Sequence, residues 1–232
     1  MALEHAIVSR TEWLAARRAL LEKEKAFTAQ RDELNAERRA LPWVAVPARY
    51  VFETESGQKT LADLFDGRSQ LIVYHFMFGP DWAAGCPHCS FWADSFDRNV
   101  IHIAHRDATL VAVSHAPLAK LIAYRKRMGW SFAWVSSYGS QFNFDFGVAF
   151  TPQEVAQKKA VYNYRQGDPF VSEREGASVF LRDAAGNVFH TYSTYARGID
   201  LLNAAYNYID LLPKGRDEGD RNQYWVRRRD EY

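Results

Sequence analysis

From about residue 9 to residue 40 the apolar positions follow a helical rhythm. Trp13, Leu14, Leu20 and Leu21 share a stripe with Arg17 and Glu24, and Phe27, Leu34 and Leu41 continue it more thinly. The stretch contains neither Gly nor Pro. Ser9 and Glu12 stand at the spacing of a capping box, where each side chain satisfies the other's free backbone N–H. The pattern predicts a helical N-terminal arm over residues 1–42, as a solvated helix or as a dimerisation arm that makes a homodimer.

Beyond Pro42 and Pro47 the rhythm changes. Tyr50–Phe52 predicts a short strand, and Thr60–Phe65 a short helical segment. Leu71–Phe78 is a continuous apolar run of strand length, the pattern of a central strand buried on both faces. Phe91, Trp92, Phe96, Val100 and Ile103 return to helical spacing. Thr109–Ser114 predicts a second buried strand, Leu118–Met128 an amphipathic helix stopped by Gly129, and Phe132–Val135 another strand. Residues 136–176 show little periodicity and read as an inserted loop region. Ala177–Arg182 and Val188–Tyr192 flank Asp183-Ala184-Ala185-Gly186-Asn187, a hairpin signal. Ile199–Leu212 predicts a last helix. Strands alternating with helices, closed by a hairpin, predict an α/β domain with a mixed central sheet over residues 43–213, followed by a charged tail over 214–232.

The length of 232 residues and 47% apolar content suffice for one core. With 29 basic and 28 acidic residues, charge supplies no argument for nucleic acid or a membrane surface as partner. The start Met1-Ala2-Leu3-Glu4-His5 lacks a basic segment followed by an apolar run, and no run approaches the ~18 residues of a membrane span. A soluble, cytoplasmic protein is expected.

Cysteine usage narrows the function. The two cysteines, Cys86 and Cys89, lie three apart. A disulfide across so short a loop restrains little of the unfolded chain, so the pair reads as chemical and not structural. Disulfide exchange needs a thiolate and a second thiol to resolve the mixed disulfide. A Cys-x-x-Cys opening a helix supplies both, because the free N–H groups and dipole of the helix favour negative charge at the first sulfur. Pro87 suits the first helical position. Cys86 is the expected nucleophile and Cys89 the resolving thiol. His88 and Pro87 tune the nucleophile's pKa. The substrate is a thiol or disulfide, protein or small molecule, and no bound cofactor is required. Two other readings compete: a binding module that retains the fold without catalysis, and a metal site. Cys-x-x-Cys is half a zinc site, but a structural zinc needs four ligands and no second pair exists, so no metal ligands are assigned.

The order of strand, Cys-x-x-Cys helix, strand, helix and late hairpin resembles the thioredoxin superfamily, which implies a thioredoxin-like central mixed sheet flanked by helices. Ser56–Phe65 followed by Leu71–Tyr74 resembles the opening of peroxiredoxin-type members. Over nearly the whole chain the sequence resembles the bacterial domain-of-unknown-function family numbered 899, predicted to be dithiol–disulfide oxidoreductases. The matching stretches are Tyr74–Gly79, Cys86–Ser90, Val113–Pro117, Tyr192–Gly198, Pro213–Glu218 and Trp225–Arg227. Three features depart from well-studied superfamily members. Glu175–Ser178 occupies the place of their cis-proline without a proline. Tyr74 or His75 occupies the place of a buried aspartate. Ala83-Ala84-Gly85 lacks the threonine of the peroxiredoxin motif. Trp82, Ser178, Tyr195 and Arg197 are the candidate substrate groove beside the dithiol.

Overall fold

The computed structural model describes residues 5–47 and 50–232; residues 1–4, read above for a leader segment, and 48–49 lie outside it. The chain forms two compact units, Met1–Pro42 and Trp43–Tyr232. The first contains helix α1 (Arg10–Ala40), which opens on the expected capping box. Ser9 Oγ accepts from the Glu12 N–H, and Glu12 accepts from the Ser9 N–H. Arg38 and Arg39 stand in its last turn, where the free carbonyls favour cations.

The second unit opens with strands β1 (Val44–Ala45), β2 (Val51–Thr54), β3 (Gly57–Thr60) and β4 (Gln70–His75). Helices α2 (Pro87–Phe96) and α3 (Val100–Ala104) precede β5 (Ala108–Ser114), and α4 (Leu118–Met128) precedes β6 (Ala133–Ser136). Residues 136–176 are more ordered than their composition suggests. They hold α5 (Phe142–Asp145), α6 (Pro152–Gln157) and the hairpin of β7 (Ala160–Tyr162) with β8 (Arg165–Gly167). The hairpin of β9 (Gly176–Arg182) and β10 (Val188–Tyr195) leads to α7 (Ala204–Ile209).

Eight strands form one mixed sheet in the order β1-β10-β9-β4-β5-β6-β2-β3. The central strand β4 runs parallel to β5 and antiparallel to β9. Its alternation divides the core in two. Leu71 and Val73 join Val111, Val113, Val135, Phe142 and Phe180 on one face. Tyr74 and Phe76 join Ala112, Trp134 and Ala177 on the other, under Cys89, Trp92 and Phe96 of α2 and Leu121, Tyr124 and Met128 of α4. The mixed sheet flanked by helices is the expected architecture.

Two expected helices are shorter than predicted. The stripe from Phe91 to Ile103 breaks between α2 and α3. There the buried Asp97 carboxylate accepts from the Ser131 and Phe132 N–H groups at 2.7 and 3.2 Å instead of staying on a helix surface. The last helix gives way to a 3-10 segment over Ala196–Leu202, and α7 begins only after Asn203. Asn203 is extended, and its side chain accepts from the Tyr206 N–H, so it caps a new helix.

Candidate active site

The chain leaves β4 at His75, loops through Gly79–Gly85 and enters α2 at Cys86. Two hydrogen bonds fold this loop back on the strand end: Cys86 N–H donates to the Met77 carbonyl at 3.1 Å, and Met77 N–H donates to Cys89 Sγ at 3.4 Å. Cys86 is the N-cap and Pro87 the first helical residue, where the missing N–H has no bond to lose. The turn demands glycine before the nucleophile. A Cβ on Gly85 would lie 2.8 Å from the Phe76 ring and 2.9 Å from that of Tyr124.

Both thiols are free and buried, with 7% of Cys86 and 1% of Cys89 accessible. Their acidities diverge. The Cys86 thiol is held well below its ordinary value, first by the hydrogen bond from Cys89 and then by His88, against the opposing effect of burial. Cys89 is pushed well up by burial, by its bond to Cys86 and by the negative charge of Cys86. His88 is raised, chiefly by its hydrogen bond to Cys86, with a backbone bond to Gln223 and the charge of Glu175 adding to it. These effects favour the thiolate at Cys86 and the imidazolium at His88, and disfavour ionisation of Cys89. Tyr74, near the C-terminal end of β4, is fully buried. Burial raises its hydroxyl, and so does the negative charge of Cys89.

A network fixes the nucleophile's peptide from behind. The Cys86 carbonyl accepts from Ser90 N–H at 3.0 Å and Ser90 Oγ at 2.8 Å. Ser90 Oγ meets Tyr124 Oη at 2.9 Å. Arg228 then donates to Tyr124 Oη through Nε at 2.9 Å, and to the Gly85 carbonyl through Nη2 at 2.9 Å. Trp225 reaches the same helix, its ring centroid 5.5 Å from that of Phe91.

A cavity of about 320 Å³ adjoins the pair on the side of His88 and Cys89. Tyr74 and Met77 line it from the strand end, Arg174 and Glu175 from the approach to β9, Arg197 and Asp200 from the 3-10 segment, and Gln223 from the C-terminal residues. Tyr162 Oη donates to the Glu175 carboxylate at 3.2 Å and to the Glu175 carbonyl at 2.9 Å, which holds that residue at the cavity wall. Among the described residues no group of three or more His, Cys, Asp or Glu side chains is placed to hold a metal. No helix among them is long and apolar enough to cross a membrane.

Over residues 2–232 the sequence matches the family described as bacterial protein of unknown function, DUF899. The chain belongs to this family. None of the curated proteins matches it in sequence. Among solved structures it is similar to peroxiredoxin Q of Xanthomonas campestris, at 15% identity and a TM-score of 0.48, over 76% of this chain and 99% of that one. It is also similar to the peroxidoxin BcpB of Mycobacterium tuberculosis, at 15% identity and a TM-score of 0.47, over 73% of this chain and 97% of that one.

Of the site residues expected from the sequence, Cys86, Pro87, His88 and Cys89 come together as described. The groove residues do not. Arg197 lines the cavity. Trp82 packs against the core on the dithiol side from the preceding loop and is not part of the cavity wall. Ser178 and Tyr195 lie on the opposite face of the sheet. Along β9 it is Ala177 that faces α2, so Ser178 points away and meets His75 Nε2 at 2.7 Å. Tyr195 shares the parity of Ser193, which meets Ser178 at 2.7 Å, and its hydroxyl donates to the Phe146 carbonyl at 3.0 Å. Gly176, in the Glu175–Ser178 stretch, packs so closely on the Tyr195 ring that a Cβ would lie 2.4 Å from it. Among the described residues no peptide bond is cis.

Sequence reasoning did not assign roles to Glu175, Gln223 or Arg228. The single signal for the last two was the word Trp225–Arg227 in the tail, which carries the family resemblance without showing what it touches.

Proposed function

We propose that this protein is a thiol–disulfide oxidoreductase that works through Cys86 and Cys89. The observation that carries the reading is the opposed acidity of two adjacent thiols at one helix N-terminus, with the first lowered by the second and by His88. The Cys86 thiolate attacks one sulfur of a substrate disulfide, forming a mixed disulfide and releasing a thiolate. Cys89 then loses its proton and attacks the Cys86 sulfur, and the second substrate thiolate leaves. Two electrons pass from the protein to the substrate, and the protein is left with an 86–89 disulfide; the reverse sequence oxidises a substrate dithiol.

Each neighbour has a part in these steps. His88 stabilises the attacking thiolate. Burial keeps Cys89 protonated until the mixed disulfide forms and the negative charge on Cys86 disappears. Of the two carboxylates of the cavity wall, Asp200 is ion-paired and Glu175, whose charge raises Cys89, is the one we assign to take that proton. The reading needs no bound cofactor, since a second thiol system supplies or accepts the electrons.

Alkylation at graded pH, with and without reductant, tests the proposal. The expected result is one thiol reactive below the pH of a free cysteine, lost in Cys86→Ser, and an 86–89 disulfide in the oxidised protein. A Cys86 that titrates as a free thiol, in a protein that never forms that disulfide, would defeat it.

A further inference from the structure

The cavity wall carries two arginines and two carboxylates, and they are not all paired with one another. Asp200 is already paired twice, with Arg197 at 3.3 Å and Arg216 at 3.0 Å. Glu175 accepts from Tyr162. Arg174 is different. Its guanidinium lies over the Tyr162 ring at 4.7 Å, no carboxylate pairs with it among the described residues, and its Nε is buried without a hydrogen-bond partner. A guanidinium over an aromatic ring at a cavity wall, with no carboxylate partner, suits an anion such as a carboxylate, which a guanidinium binds in bidentate fashion.

Access to the sulfurs limits the size of the substrate. Cys86 and Cys89 are buried, and the cavity, whose wall includes Cys89 and the His88 that bonds Cys86, is near the lower end of small-molecule sites.

We propose that the cavity takes a small disulfide bearing a carboxylate, with the carboxylate on Arg174 and the disulfide bond presented to the dithiol. This rests on the thiol–disulfide reading above. The reaction is the same two-step exchange: the substrate disulfide is reduced to two thiols and the protein dithiol is oxidised to the 86–89 disulfide.

Three small disulfides of different charge test the proposal on the reduced full-length protein: dithiodipropionate, hydroxyethyl disulfide and cystamine, which are anionic, neutral and cationic. Formation of the 86–89 disulfide is followed by mass spectrometry, and each rate is divided by that of the same disulfide with dithiothreitol. Dithiodipropionate is expected to react faster than hydroxyethyl disulfide by about tenfold, the size of one charge-assisted contact, and cystamine slowest. Arg174→Gln removes the preference by raising KM for the anion alone, and Arg174→Lys retains part of it. Equal normalised rates for the three, or a preference that survives in Arg174→Gln, would overturn the proposal. If none of the three oxidises the pair while an unfolded protein disulfide does, the small-substrate inference falls and the dithiol reading stands. If neither does, the dithiol reading itself fails.

Discussion

Arg228 donates to the carbonyl of Gly85 through both Nε, at 3.2 Å, and Nη2, at 2.9 Å, across 143 residues of sequence. The bond holds the peptide that delivers the chain into Cys86. The same guanidinium reaches Tyr124, and its Nη1 pairs with Glu231 at 2.9 Å. The C-terminal residues are thus a structural wall of the dithiol helix.

Replacing Arg228 by Met removes these contacts and leaves the Gly85 carbonyl with one long bond from Tyr124 Oη, at 3.4 Å. A hydrogen bond to a charged partner at a partly buried site is worth about 1–3 kcal/mol, so urea unfolding of the variant is expected to show a loss of that size. Amide exchange at Cys86, whose N–H closes the loop on Met77, is expected to speed up. An unchanged unfolding midpoint with unchanged exchange would mean that the loop is held without the tail.

A donor on Cys89 is the largest influence lowering the Cys86 thiol, and substitution separates it from the influence of His88. Cys89→Ala deletes the donor, and the Cys86 alkylation midpoint is expected to move up. Cys89→Ser keeps a hydroxyl donor and is expected to move it less. His88→Ala is also expected to move it up, and by lowering the stability of the thiolate to make the 86–89 disulfide less oxidising. Identical midpoints for the Ala and Ser variants at position 89 would assign the lowered acidity to the helix end and His88 alone.

The parts of this site legible in the sequence were those with local signatures. Two cysteines three apart, with Pro87 between them and an apolar strand before them, define a helix N-terminus by short-range chemistry. Ser9 with Glu12 likewise announced the start of α1. What was not legible depends on long-range register. Ser178 and Ala177 are neighbours in sequence, yet one faces His75 and the other faces α2; choosing between them requires the parity of β9 against β4. Glu175 occupies a stretch without periodicity, and its place beside Cys89 comes from the β4–β9 pairing of His75 with Gly176. Arg228 lies in a polar run whose composition matches any solvated tail.

Glu175→Gln tests the proton acceptor. The substitution keeps the size of the side chain and removes its charge, so Cys89 is expected to become more acidic while losing the base that takes its proton. Removing a positioned base slows a proton-coupled step by about 100-fold or more, which outweighs the easier ionisation of Cys89. Decay of a mixed disulfide on Cys86 is therefore expected to slow, with initial attack by Cys86 much less affected. Equal decay rates in the two proteins would mean that water takes the proton.

The face of the sheet away from the dithiol carries its own pH dependence. His75 is fully buried, stacked on Phe146 at 5.9 Å and bonded to Ser178, and burial lowers its pKa to about 3, with the charge of His190 adding to the effect. In the unfolded chain the same imidazole takes a proton near its ordinary value of 6.5. Between these values the unfolded state binds more protons than the folded one, so stability is complete above pH 6.5 and falls as pH drops toward 3. One such group contributes a slope of about 1.4 kcal/mol per pH unit. Urea midpoints from pH 7 to pH 4 are expected to fall less steeply in His75→Gln than in the wild type, by about that slope, whatever the offset between the two proteins at pH 7. Parallel pH profiles would show that His75 is protonated in the folded protein or that its titration is the same in both states.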